Sequence, residues 1–241
     1  MTWKGVVIVK IQWNKNNIPE GIRNLIPVGV IGFFYLITFQ SLESRNVPVH
    51  IIQGKIDNLI PFCEYFIIPY LLWFLYVAVT VIYFACFNKN KEEYIQFCIT
   101  LLTGLIVFLI ISYIYPNGQN LRPALDGSNV FEILVMNLYQ TDTSTNILPS
   151  LHVFHSVACC IALVRNDKVK RNRILTVLTY ILTISIVLST MFLKQHSIID
   201  VVMALTMNGV CFYLFYKDIV PGWNSRPAHI HSRHKRKGIS L

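Results

Sequence analysis

Charge is what this sequence has little of. Only 14% of its 241 residues are Asp, Glu, Lys or Arg, while 54% are hydrophobic; a soluble domain carries roughly 25% charged residues. That balance excludes a disordered chain and argues against an ordinary cytosolic enzyme. Other signatures are missing as well. There is no Walker phosphate loop, no GxGxxG fingerprint, no HExxH zinc helix and no CxxC pair. The six cysteines, Cys63, Cys86, Cys98, Cys159, Cys160 and Cys211, lie in or beside apolar stretches. They read as buried free thiols, which excludes a disulfide framework and a zinc cage. Strand-period alternation and internal repeats are absent too.

What is present is a series of long charge-free runs, and about 20 mostly apolar residues suffice for a helix to cross the hydrocarbon. Six are legible: 25–42, 65–87 (with a possible start at Ile60), 94–115, 148–164, 174–193 and 197–216, the last holding a single charge, Asp200. Backbone groups in lipid must be satisfied by helices, so the expected fold is all-α, a polytopic bundle of six transmembrane helices. The first run lies too far from the start, and is too long, for a cleaved signal. The chain divides into a basic N-terminal segment (1–24), the transmembrane domain (25–216) and a basic tail (217–241).

Lys and Arg place the ends. Loop 165–173 packs five of them, the N-terminal segment four and the tail six, whereas loop 116–147 has only Arg122. The expected topology is a multi-pass cell-membrane protein with both termini cytoplasmic and loop 116–147 outside. The net charge of +9 then follows from topology and anionic lipid, with no nucleic-acid partner. The abundance of Lys, Asn and Ile fits an AT-rich bacterial source.

Ionisable groups at membrane depth are costly and point to function. Here they collect at the outer ends of the later helices: Arg122-Pro123; Leu148-Pro149-Ser150-Leu151-His152, with His155 one turn on; and Lys194-Gln195-His196, with Asp200 beyond. Each has a plain structural alternative: headgroup contact for Arg122, helix cap for Ser150, snorkelling for Lys194, packing for His155. Convergence on one face favours chemistry. His196 and Asp200 are spaced i,i+4, so on the sixth helix the carboxylate can hold one imidazole nitrogen and leave the other basic. Ser150 and His152 open the fourth helix, whose free N–H groups favour an anion. Arg122 adds a two-pronged fork and Lys194 a point charge. The set describes phosphoryl transfer without a metal.

At these residues the chain resembles the type 2 phosphatidic acid phosphatase superfamily. Arg122-Pro123 matches the end of its first motif, and Pro149-Ser150-Leu151-His152 its Pro-Ser-Gly-His with Leu in place of Gly. Ser189, His196 and Asp200 keep the spacing of its third motif. Two motif cations are replaced, by Tyr115 and Thr190. The Ser-Leu-His form is similar to the branch containing inositol phosphorylceramide and sphingomyelin synthases. The resemblance implies a hydrolase of lipid or isoprenoid phosphates, without cofactor. In it His196 is the nucleophile, Asp200 orients it, and His152 serves the leaving alcohol. Arg122, Ser150, Ser189 and Lys194 would cradle the phosphate. A headgroup phosphotransferase on the same scaffold is the alternative. A metal site of His152, His155, His196 and Asp200, and a small transporter, are readings from other classes.

Overall fold

A computed structural model describes residues 19–216; most of the basic N-terminal segment and the whole basic tail lie outside the described residues. The first apolar run forms α1 (Glu20–Glu43), a 24-residue helix with Pro27 inside it. Of its residues only Leu42 is buried, while Phe33, Phe34, Leu36 and Ile37 are exposed. Such a face is stable only against lipid. The second run starts later than Ile60: a 3-10 turn (Glu64–Phe66) leads into α2 (Ile67–Ile82), which ends in a π turn (Tyr83–Phe87). Asn90 caps α3 (Lys91–Ile114) by accepting from Glu92 N at 3.1 Å, and Glu92 and Glu93 in the first turn complement the helix dipole.

Loop 116–147 is not the plain loop that its composition suggests. It contains α4 (Val130–Thr141), started by Asn129, whose side chain accepts from Phe131 N and Glu132 N. Val135 on this helix packs with Ile67, Tyr70 and Leu193, so a short amphipathic helix lies over the bundle end. The loops at this end are also stitched by backbone pairing. Strands β1 (His50–Ile51) and β2 (Asn117–Gly118) run parallel, and Gly118 also bridges to Thr145. A Cβ at Gly118 would stand 2.7 Å from Ser144 O, so only glycine allows that approach. Asn117 Oδ1 accepts from the N–H groups of Ile147 and Leu148, both at 2.9 Å.

The fourth run departs furthest from expectation. Residues 148–150 are irregular, and α5 (Leu151–Arg165) has 15 residues, or about 22 Å of rise. Five helical segments, Glu20–Glu43, Glu64–Phe87, Lys91–Ile114, Arg173–Phe192 and Ile198–Tyr216, are long and apolar enough to cross a membrane; α5 is shorter. Its position explains this. It packs against α2, α3, α7 (Arg173–Phe192) and α8 (Ile198–Cys211), so protein covers it and lipid thickness does not set its length. Small side chains permit the approach: Ser156, Ala158, Cys159 and Ala162 are buried, and Gly104 of α3 sits where a Cβ would lie 2.3 Å from the Phe154 ring.

At the other end of the bundle, loop 165–173 contains the one-turn α6 (Asp167–Arg171), capped by Asn166. Glu93 accepts from the side-chain amides of Asn88 (3.0 Å), Asn90 (3.1 Å) and Asn166 (2.7 Å), and Tyr83 donates to Asn166 Oδ1 at 2.9 Å. Arg165 reaches across to Tyr216 O at 3.2 Å.

Candidate active site

Ser197 and Asp200 form a local unit. Ser197 caps α8, Asp200 N lies 3.4 Å from its hydroxyl, and Asp200 Oδ2 accepts from Ser197 N at 2.9 Å, a capping box. His196 therefore sits in the turn before the helix, not on its face as i,i+4 spacing on one helix implies. The carboxylate that closes the box also meets the imidazole. His196 Nδ1 stands 3.4 Å from Asp200 Oδ2, within ion-pair reach but at an angle short of a hydrogen bond. Both residues are buried, Asp200 completely. The geometry turns Nδ1 to the carboxylate, so Nε2 is the ring nitrogen that Asp200 does not engage.

The start of α5 is tied to the same place, since Ser150 N reaches Asp200 O at 3.5 Å. Ser150 is buried, and its hydroxyl accepts from Val153 N at 3.4 Å. The N–H groups of Leu151 and His152, at the first two helical positions, have no intrahelical acceptor. The His152 ring centroid lies 6.2 Å from that of His196, a gap that a tetrahedral phosphoryl group can bridge. Aromatic side chains of α2 hold it there: Tyr70 stacks at 4.3 Å, Trp73 lies tilted at 4.1 Å, and Phe74 meets it edge-on at 6.2 Å. His155 lies one turn deeper, parallel to Trp73 at 6.1 Å. Among the described residues no three His, Cys, Asp or Glu side chains are grouped as a metal cage, so His155 does not join His152, His196 and Asp200 in the arrangement that the metal reading requires.

Arg122 reaches the site from loop 116–147. Its guanidinium donates to Tyr139 O (3.1 Å), Asp142 O (2.7 Å), Thr143 O (2.8 Å) and the side-chain oxygen of Gln195, and it lies over the Tyr139 ring at 4.4 Å. Burial pulls its pKa down from the ordinary value, opposed first by Asp142; a guanidinium stays charged regardless. Asp142 is pushed above the usual carboxylate value by burial, opposed by the His196 charge, by the Tyr70 hydroxyl that donates to it at 2.9 Å and by Arg122. Burial pushes the Tyr139 phenol up to about 12, with Arg122 opposing.

Two other residues expected around the phosphate are engaged elsewhere. Lys194, in the left-handed region at φ 54°, sends its ammonium to the carbonyls of Asp57 (2.7 Å) and Ile60. It thereby ties the turn before α8 to the 3-10 turn Lys55–Leu59, and Asp57 in return accepts from Ile198 N at 2.8 Å. The Ser189 hydroxyl donates to Ile186 O at 2.6 Å within α7. Arg122, Ser150, His152, His196 and Asp200 are brought together; Lys194, Ser189 and the two terminal nitrogens of Arg122 have structural partners, which leaves Nε as the unpartnered donor of Arg122.

The sequence reading passed over Gln195, Tyr70, Trp73 and Asp142. Only Gln195 had a visible signal, its place between Lys194 and His196. Among the described residues, nine buried side-chain nitrogens and oxygens lack a hydrogen-bond partner. Seven belong to this site or the rings beside it: Trp73 Nε1, Arg122 Nε, His152 Nε2, His155 Nε2, Gln195 Nε2, His196 Nδ1 and Asp200 Oδ1. Each such atom costs roughly 1–3 kcal/mol, and a concentration of them in one place marks a site that binds something polar.

Comparison with known proteins bears on the same segment. The family model of the PAP2 superfamily matches residues 119–222, which includes Arg122, Ser150, His152, His196 and Asp200. Neither a curated protein nor a solved structure matches the chain.

Proposed function

We propose that the chain is a lipid-phosphate phosphatase of the PAP2 superfamily, acting through a phosphohistidine. The observation that carries this reading is the facing pair His152 and His196, 6.2 Å apart, with Asp200 behind His196, inside the segment that the family model matches. His196 Nε2 attacks phosphorus as the bond to the lipid oxygen breaks, and His152 delivers its proton to the departing alkoxide. Water then attacks the phosphohistidine while His152 takes back a proton, releasing inorganic phosphate and free His196. Asp200 holds the imidazole and balances its positive charge. Arg122, Ser150 and the N–H groups opening α5 stabilise the charge on the phosphoryl oxygens. Ser189 and Lys194 support this cradle from behind in the proposal, through α7 and the turn before α8. No metal enters these steps.

The reading includes six membrane crossings, with the buried α5 as the fourth, both termini on the cytoplasmic side and the site at the outer face of the cell membrane. A lipid or isoprenoid phosphate suits that depth, because the imidazoles lie at helix ends beside the lipid-exposed Phe74. Purified protein in detergent, given a panel of lipid phosphates, should release inorganic phosphate and form an acid-labile phosphoenzyme on rapid quench. His196→Ala should lose both; phosphoenzyme formed at the normal level in that variant would overturn the mechanism. Phosphate appearing on an added lipid alcohol rather than in water would make the chain a headgroup transferase.

A further inference from the structure

Gln195 is buried, with 2% of its surface exposed, yet its two polar atoms differ in their circumstances. The side-chain oxygen accepts from Arg122, and the side-chain nitrogen has no partner among the described residues. Which end faces which way is decided by chemistry: a guanidinium offers only donors, so the amide must present oxygen to it and its NH₂ must point elsewhere. The turn is rigid, since the N–H groups of Gln195 and His196 both donate to Thr190 O, at 2.9 and 3.0 Å. The unpartnered amide nitrogen thus belongs to the residue that directly precedes His196 in a fixed turn. Arg122 Nε, on the other side of the Arg122–Gln195 contact, is unpartnered as well. Lys194, the neighbouring cation, is committed to the carbonyls of Asp57 and Ile60.

We propose that Gln195 binds the substrate directly, its side-chain N–H donating to a phosphoryl oxygen while its oxygen holds Arg122 in place for the adjacent one. This rests on the phosphoryl-transfer reading above. It adds a neutral side-chain donor beside the charged one in the cradle, in place of a second cation.

Gln195→Glu separates the two jobs. A carboxylate still accepts from Arg122, so the guanidinium stays where it is, but the donor toward phosphate is gone and a negative charge stands in its place. Inorganic phosphate serves as the probe, both as inhibitor of phosphatidate turnover and as a ligand that raises the thermal unfolding midpoint. The expected result is inhibition by phosphate weakened by at least about tenfold to a hundredfold, the value of one hydrogen bond to a charged group, with loss of thermal protection. Wild-type inhibition in Gln195→Glu would overturn the proposal and leave Gln195 as a support for Arg122. If that variant fails to fold, the side-chain amide resonance of Gln195, assigned by its absence in Gln195→Met, should shift on phosphate titration of the wild-type protein; an unmoved resonance while phosphate inhibits would overturn the proposal. A wild-type protein neither inhibited nor protected by phosphate would instead break the phosphoryl-transfer reading on which it rests.

Discussion

The two ends of the bundle treat polar groups in opposite ways. At the end formed by Asn88, Glu93, Tyr83 and Asn166, amides, carboxylate and phenol satisfy one another. None of the unpartnered buried side-chain atoms among the described residues belongs to these four. At the other end, Arg122, His152, Gln195, His196 and Asp200 each keep an unpartnered buried atom. The first network is finished by folding and holds helices together. The second is left incomplete by folding, which is what the proposed phosphate site requires. Hydrogen-bond completeness is what separates the two networks.

That contrast can be broken in a graded way. The largest effect should come from Asp200→Asn. The amide keeps the helix cap, so the unfolding midpoint should move little. Turnover should fall by about 10⁴-fold, the scale on which removal of an orienting carboxylate acts. A normal rate, measured as phosphate release, would mean that Asp200 is a cap and nothing more. Asn166→Ala should do the reverse: it removes the cap of α6 and the partner of the half-buried Tyr83 and Glu93, costing about 1–2 kcal/mol of stability with turnover per folded molecule unchanged. Denaturation in detergent alongside steady-state rates checks both halves.

Lys194→Met tests a residue at the border between the two kinds. Its ammonium holds two carbonyls, so stability should drop by about 1–3 kcal/mol. Inhibition by inorganic phosphate should stay within about twofold, because a group bound to structural carbonyls adds little to ligand affinity. A large loss of phosphate affinity would return Lys194 to the cradle. The smallest effect concerns Asp142, whose pKa lies above the ordinary 3.8 in the folded protein because burial disfavours its charge. The folded state thus holds this proton more tightly than the unfolded one. The contribution is in full at pH below 3.8 and is lost as pH rises through the raised value. Asp142→Asn should therefore gain in unfolding midpoint relative to wild type as pH increases from about 4 to 7, a trend that midpoint measurements across that range would show or exclude.

Apolar runs announced the helices because lipid forces backbone groups to pair within a segment. Their starts were less legible. Asn90 and Ser197 sit in good capping positions, but whether a cap operates depends on what the following turn packs against. The short α5 illustrates the limit: hydropathy implies a lipid-spanning stretch, whereas enclosure by α2, α3, α7 and α8 released it from that length. Helix α4 was hidden because its apolar face is a few residues wide and matters only once Ile67, Tyr70 and Leu193 are beneath it.

The same division runs through the site. Residue type and spacing singled out Arg122, Ser150, His152, Lys194, His196 and Asp200 as candidates, because ionisable groups beside membrane spans are costly and few. Direction was beyond reach of the chain's order. That Lys194 turns to Asp57 and Ile60 while Gln195 turns to Arg122 follows from a left-handed residue at 194 and from carbonyls contributed more than 130 residues away. Hydrogen-bond partners so distant in sequence exist only after the helices have packed. Sequence by itself determined which groups carry charge near the membrane; tertiary structure decided which of them folding satisfies and which it leaves free to meet a ligand.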